Sequence, residues 1–377
     1  MKPNLTFEES EVQKSVKKFV KNELLPFSGI IEEHGELPLD IKKKFLSMEL
    51  LKTPFPDSEG RGSFLAFVIA LKELCYASLV PGWLLLENFM AAYPLFFYGS
   101  DNLKSKYLHD LISLKTTGAF AFTEDNTGSD PAQIETYAEE KDNGWIINGS
   151  KRFITHSKTC DNMVLFAKTD KDNITAFLIN SKNKGYKHGV RERFIHTSSL
   201  DNGELYLKNY FADHEHVIGE PGQGFEILLK TEEIGKIGFS AFFTGAAKRA
   251  IDLSLEFANK RLHRGIPIGK KFQMIQAKLA CMITKYNSVN SCLFDTASKA
   301  LKEKNTGPAS AALKLLAAEN IKDITSDAMA IHGAYGLSRE YEIERIYRTA
   351  IIAQSVMGNS DIQKVIIAKH ALRKGSL

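Results

Sequence analysis

The side chains best able to do chemistry fall in a few short stretches. The segment Thr123-Glu124 running to Gly128-Ser129-Asp130 is rich in small residues and hydroxyls. Backbone N–H groups and side chains there can approach a planar ring and a pyrophosphate closely. A lone carboxylate, Glu87, interrupts the apolar run Leu84-Leu85-Leu86-Glu87-Asn88-Phe89-Met90. Burial of that kind raises a carboxyl pKa and equips it for proton transfer; the plainer alternative is an exposed or hydrogen-bonded glutamate on a helix face. His156 offers a group that titrates near neutrality, or a hydrogen-bonded strand-end histidine. In Lys260-Arg261-Leu262-His263-Arg264-Gly265, Arg261 carries a guanidinium fork suited to phosphate. His214-Glu215-His216 is metal-like in composition only. Gly219-Glu220-Pro221-Gly222-Gln223-Gly224 lacks both the G-x-G-x-x-G spacing and the βαβ setting of a dinucleotide loop. Cys75, Cys160, Cys281 and Cys292 form no C-x-x-C pair, so neither a disulfide scaffold nor a zinc site is expected.

The elements that must position these groups follow from periodicity. Up to about residue 115 apolar residues recur at helical spacing, as in Val12, Val16, Phe19 and Val20. From about 116 to 225 the pattern changes to short β-branched and aromatic runs, Trp145-Ile146-Ile147, Met163 to Phe166, Ile174 to Ile179 and Glu204 to Leu207, with turns such as Asp142-Asn143-Gly144 and Asp201-Asn202-Gly203. An antiparallel sheet is the economical reading. From 226 to 377 the helical period returns. The expectation is therefore an α+β multidomain chain: an N-terminal helical domain (1–115), a middle antiparallel β domain (116–225) and a C-terminal four-helix bundle (226–377). The 377 residues are 44% apolar and 25% charged, an ordinary globular composition. No segment approaches the roughly 20 apolar residues of a membrane span and the opening shows no h-region, so a cytoplasmic protein is expected. A formal charge of +4, with Lys14, Lys17, Lys18 and Lys21 on one helix, reads as a solvated face rather than a nucleic-acid patch.

Three blocks, Ala119 to Asp130, Asn148 to Thr155 and Met357-Gly358-Asn359-Ser360-Asp361-Ile362-Gln363, resemble in order those of the acyl-CoA dehydrogenase family. The resemblance implies FAD. It places Phe122 and Thr123 at the flavin's pyrimidine edge, Gly128 and Ser129 at the pyrophosphate and thioester tail, Phe153 in the seat of a flavin-stacking tryptophan, and Thr155 facing flavin N5. It further assigns Arg261, Gln273, Asn359 and Asp361 to the cofactor, Arg261 from a neighbouring subunit, so a homodimer or homotetramer is implied. Ser129, Glu233 and Lys236 become candidates for the substrate's tail. His214 to His216 becomes a surface turn, so no metal is expected, and Gly219 to Gly224 a glycine turn into the next helix.

The third block departs from the pattern. Where the family commonly has its catalytic glutamate stands Met357, and the alternative seat, beside a basic residue, is Gly235-Lys236. Glu87 and Glu233 are the candidate replacements. Three readings follow: a dehydrogenase of carrier-protein-bound acyl groups making hydroxymalonyl or aminomalonyl extender units, where no α-base is needed; an α,β-acyl-CoA dehydrogenase or reductase with a relocated carboxylate; or a catalytically silent flavoprotein subunit. CoA and an acidic carrier protein both suit the basic surplus, and an electron-transfer flavoprotein or oxygen is the expected acceptor.

Overall fold

The computed structural model describes residues 5–171, 173–195, 200–303 and 306–374. The first long helix, α1 (Phe7–Phe19), is started by a capping box in which Thr6 and Glu9 satisfy each other's backbone N–H groups, and it continues into a π-helical turn at Val20–Leu24. Helices α2 (Phe64–Leu74) and α3 (Val80–Tyr98) are apolar on nearly every face, the mark of fully buried helices, and they form the centre of the N-terminal unit. Phe67 and Phe89 join them, with ring centroids 4.7 Å apart.

The sheet contains β1 (Gly118–Ala121), β2 (Tyr137–Lys141), β3 (Gly144–Thr155), β4 (Asn162–Lys168), β5 (Ile174–Asn180), β6 (Tyr186–Arg191), β7 (Asn202–Asp213) and β8 (Val217–Ile218), in the order β6-β7-β3-β2-β4-β5-β8 with β1 beside β4. It is not purely antiparallel. β1 runs parallel to β4 from Gly118↔Asn162 to Ala121↔Leu165, and β2 meets β4 in parallel at Tyr137↔Lys168. The physical reason is connectivity: the whole β2–β3 hairpin lies between β1 and β4 in sequence, long enough for the crossover that a parallel pair requires. β4 is buried on both faces, with Val164 and Phe166 in the helical core and Met163, Leu165 and Ala167 in the sheet's own.

The C-terminal unit comprises α4 (Gly224–Lys260), α5 (Gln273–Lys299), α6 (Gly307–His332), α7 (Glu342–Ile352) and α8 (Ser360–Lys374); α4, α5 and α6 pack on one another and α8 packs on α6. Trp83 of α3 meets Phe239 and Phe242 of α4 edge-on at 5.1 and 4.9 Å, which fastens the two helical units together. Among the described residues no helix is long and apolar enough to cross a membrane.

Candidate active site

The end of β3 and the middle of α3 build the first half of the site. Pairing with β7 is interrupted between Lys151 and Ile154, where Phe153 takes φ 60° and leaves its ring 47% exposed, with the Arg152 guanidinium 5.0 Å from its centroid. Thr155 is buried two residues on. Asn202 donates through Nδ2 to the Phe153 carbonyl (3.2 Å) and to Thr155 Oγ1 (3.1 Å). With Asn202 donating to its oxygen, the Thr155 hydroxyl keeps a proton with which it can favour the ionised form of the nearby Glu87 carboxyl. Glu87 is buried in α3, and burial pushes its carboxyl up to about 8 against the opposing pull of Thr155. Its neighbour Asn88 accepts from Gly118 N (2.8 Å), and the Gly118 carbonyl meets His156 Nδ1 (3.2 Å). A carbonyl only accepts, so that nitrogen carries the proton; burial pulls the His156 pKa down against the Gly118 bond, and the ring is neutral at pH 7.

The loop after β1 rests on a buried ion pair that motif reading did not single out. Lys151 Nζ reaches Glu124 Oε1 (2.7 Å) and the Phe122 carbonyl (3.1 Å), while Glu124 also accepts from the N–H groups of Glu135 and Thr136. Arg152 N holds the Thr123 carbonyl at 2.9 Å. Phe122 and Thr123 are thus fixed from below by β3. At Gly128 an added Cβ would meet only Thr123 Cγ2 at 4.0 Å, so the backbone lies open. Ser129 Oγ accepts from Asn359 Nδ2 (3.2 Å), which joins the first and third motifs, while Asn359 Oδ1 caps α8 through Ile362 N.

These residues fit a flavin and its phosphates: a half-exposed aromatic ring, a buried hydroxyl beside it, an open glycine backbone, and Asn202 Oδ1, a buried acceptor with no partner among the described residues. Asp361 is exposed and paired with Lys364. Arg261 and Gln273 are exposed around the Leu262–Pro267 hairpin, Arg261 lying 5.2 Å over the Tyr335 ring, and no hydrogen bond or ion pair among the described residues joins either to the loop or to Phe153 and Thr155. Both therefore present themselves to whatever covers that surface.

The two vacant base seats converge. Met357 takes φ 52° ahead of Gly358 at φ 72°, and Gln363 Nε2 donates to both carbonyls (3.2 and 3.0 Å) while Lys314 Nζ donates to Gly358 O (2.8 Å). The turn aims Met357 at α4: a Cβ on Gly235 would lie 2.3 Å from Met357 Cε and 2.6 Å from Met90 Sδ. The Met357 and Met90 thioethers thus pack against Gly235, Met357 and Gly235 being the two seats where the sequence resemblance places a base. Gln363 closes the third motif block without a role assigned to it, and Lys314 and Met90 carried no chemical signal in the sequence, since polar residues of helices are ordinarily solvated and methionines ordinarily core.

Glu233 and Lys236 do not come together as a tail-binding pair. Glu233 accepts from Thr306 N (2.7 Å) and Thr306 Oγ1 (2.5 Å) at the start of α6. Lys236 turns inward to a buried group with Glu232 and Lys314; desolvation raises the Glu232 carboxyl against Lys236, and burial with Lys236 nearby pushes Lys314 down to about 8. Glu233→Ala is expected to cost about 0.5–2 kcal/mol, as the loss of a cap does, without changing the rate of flavin reduction. A rate loss in stopped-flow with stability intact would return Glu233 to the chemistry. Glu215 accepts from Lys106 and Asn102, His216 meets Tyr107 OH at 3.2 Å, and no cluster able to hold a metal occurs among the described residues.

Comparison with known proteins agrees with this geometry. The N-terminal, middle and C-terminal domain models of acyl-CoA dehydrogenase match residues 6–115, 119–210 and 222–372. A 3-(aryl)acrylate reductase of Clostridium sporogenes is 32% identical over 96% of this chain and 98% of its own. Butyryl-CoA dehydrogenase of Megasphaera elsdenii superposes with a TM-score of 0.94 at 29% identity, covering 99% of this chain and 100% of its own. PigA, solved with FAD and proline, superposes with a TM-score of 0.93 at 26% identity over 100% of each chain. The chain belongs to the acyl-CoA dehydrogenase family, flavoprotein oxidoreductases built as a helical, a β and a second helical domain.

Proposed function

We propose that this protein oxidises an acyl thioester whose β-carbon already bears a hydroxyl, as an alcohol or a hydrated aldehyde, on a carrier protein in extender-unit biosynthesis. The observation that carries this reading is the location of the buried acid. Glu87 meets Thr155 at the end of β3, whereas the seats that serve the α-carbon hold Met357 and Gly235. FAD, when bound, supplies the acceptor for a hydride from the β-carbon. Glu87 takes the hydroxyl proton as the carbon–oxygen double bond forms, so a C–H and an O–H bond break and one C=O bond is made. Thr155 and Asn202 hold the carboxylate's direction, and Met357 and Met90 keep the α-carbon side free of any base. Phe153 supports a flat ring by apolar contact. The surplus of positive charge suits an acidic carrier or the phosphates of CoA. Homodimer or homotetramer formation would let Arg261 and Gln273 serve a neighbour's cofactor, with an electron-transfer flavoprotein as acceptor.

The test is anaerobic bleaching of the bound flavin. A β-hydroxyacyl carrier-protein thioester is expected to bleach it and a saturated acyl-CoA to leave it yellow; the reverse pattern sinks the proposal. A second reading is favoured by one observation, that a carboxyl near 8 is protonated at neutral pH and so can donate. In that case the protein reduces an α,β-unsaturated thioester, and chemically reduced flavin would be reoxidised by an enoyl thioester. Neither reaction with any thioester would leave the silent-subunit reading.

A further inference from the structure

Away from the active site, α1, α2, α4 and α5 leave a cavity of about 410 Å³, the size of a small-molecule site. Four lysines line it, Lys17, Lys21, Lys72 and Lys248, against two carboxylates, Glu73 and Asp252. The acids are already engaged. Lys248 pairs with Asp252 at 2.5 Å, and Lys17 lies 3.6 Å from Glu73. Lys21 and Lys72 have no ion pair among the described residues.

Lys72 is the unusual member. It is only 9% exposed, its ammonium donates to a neutral amide, Asn290 Oδ1 at 3.0 Å, beside the Phe294 ring centroid at 4.8 Å, and the carboxylate that acts on it through space, Glu73, is shared with Lys17. A buried cation without an ion pair of its own is costly, and an anion in the cavity would lower that cost. Burial lowers the Lys72 pKa, as this account requires. Local backbone geometry points to the same place. The chain widens into its π-helical turn at Val20–Leu24, where Val20 and Lys21 face the cavity, and such turns occur frequently at functional sites. On the opposite wall Gly245 lets α4 approach α2 so closely that a Cβ would lie 2.2 Å from the Lys72 carbonyl. Val20, Leu25 and Tyr286 supply apolar surface beside the lysines.

We propose that this cleft binds a doubly charged organic phosphate, its phosphate held between Lys72 and Lys21 and its organic part lying against Val20, Leu25 and the Tyr286 ring. Two ammoniums without ion pairs of their own match the charge of a phosphate monoester, and the cavity admits more than the phosphate alone.

The holoenzyme, saturated with FAD so that the cofactor's phosphate site is filled, is titrated by calorimetry with adenosine monophosphate and separately with inorganic phosphate. One saturable site is expected, with the nucleotide tighter by about tenfold or more. Lys72→Met should weaken both by at least about tenfold. Lys21→Glu, at an exposed position where folding is not at risk, should do the same. Absence of saturable binding, or affinities unchanged in Lys21→Glu and in whichever variant folds, overturns the proposal; equal affinities for the two probes remove its organic half.

Discussion

Glu87→Gln is expected to slow reduction of the bound flavin by a β-hydroxyacyl thioester about 10²–10⁴-fold, the usual worth of a positioned general base, or roughly 3–6 kcal/mol of barrier. The amide keeps the shape and can still accept from Thr155, so FAD content and fold should survive. The pH profile gives the sharper check. Burial raises this carboxyl to about 8, so the carboxylate that accepts a proton appears only as pH rises through that value. The wild-type rate should climb to a plateau above about 8, and the variant should lose the climb. Stability runs the other way. A raised acid costs nothing while neutral in both states, so stability is greatest below the unfolded value near 4.5 and falls as pH rises to about 8. Glu87→Gln should therefore raise Tm at alkaline pH and leave it unchanged in acid. A wild-type-like rate and pH profile in the variant would remove Glu87 from proton transfer.

Lys151→Met is expected to destabilise the protein by about 3–5 kcal/mol, the scale for breaking a buried pair by removing one partner. The Lys151 side chain is fully inaccessible and that of Glu124 is 6% exposed. Burial draws the lysine down toward about 8 while Glu124 opposes it; burial also raises the Glu124 carboxyl, but Lys151 and the Thr136 and Glu135 hydrogen bonds outweigh that and leave it lowered. Without the ammonium, Glu124 would keep two backbone donors and lose its counter-charge, and the Phe122 carbonyl would lose its support. Flavin should be lost below the temperature at which the helical units melt. Denaturant unfolding monitored by flavin fluorescence and by far-UV dichroism separates the two events, and coincident, wild-type-like transitions would contradict the role assigned to this pair.

Much of the architecture was legible because it is written in periods. Helical spacing around Val12 to Val20 and the short runs at Trp145, Met163 and Ile174 became α1, β3, β4 and β5. The parallel placement of β1 was not legible, since four residues, Gly118–Ala121, carry no sign of which neighbour they will join. Site residues divided in the same way. Phe153, Thr155, Ser129 and Asn359 announced themselves by motif. Asn202 and Lys314 did not, because their significance lies in carbonyls and hydroxyls that only the fold brings near them. Glu233 and Lys236, both candidates for the substrate's tail, are held apart by contacts no motif records: Glu233 accepts from Thr306 and Lys236 lies in the interior.

The contact between Met357 and Gly235 limits how this protein could change. Any side chain at 235 would begin 2.3 Å from the methionine's terminal methyl. Met90 Sδ would lie 2.6 Å away as well, so a carboxylate at 235 requires both methionine ends to swing aside. Substitution at 357 faces no such gate, because the glycine opposite leaves room. The two positions are coupled through these methionine ends, since what stands at one sets the room left at the other.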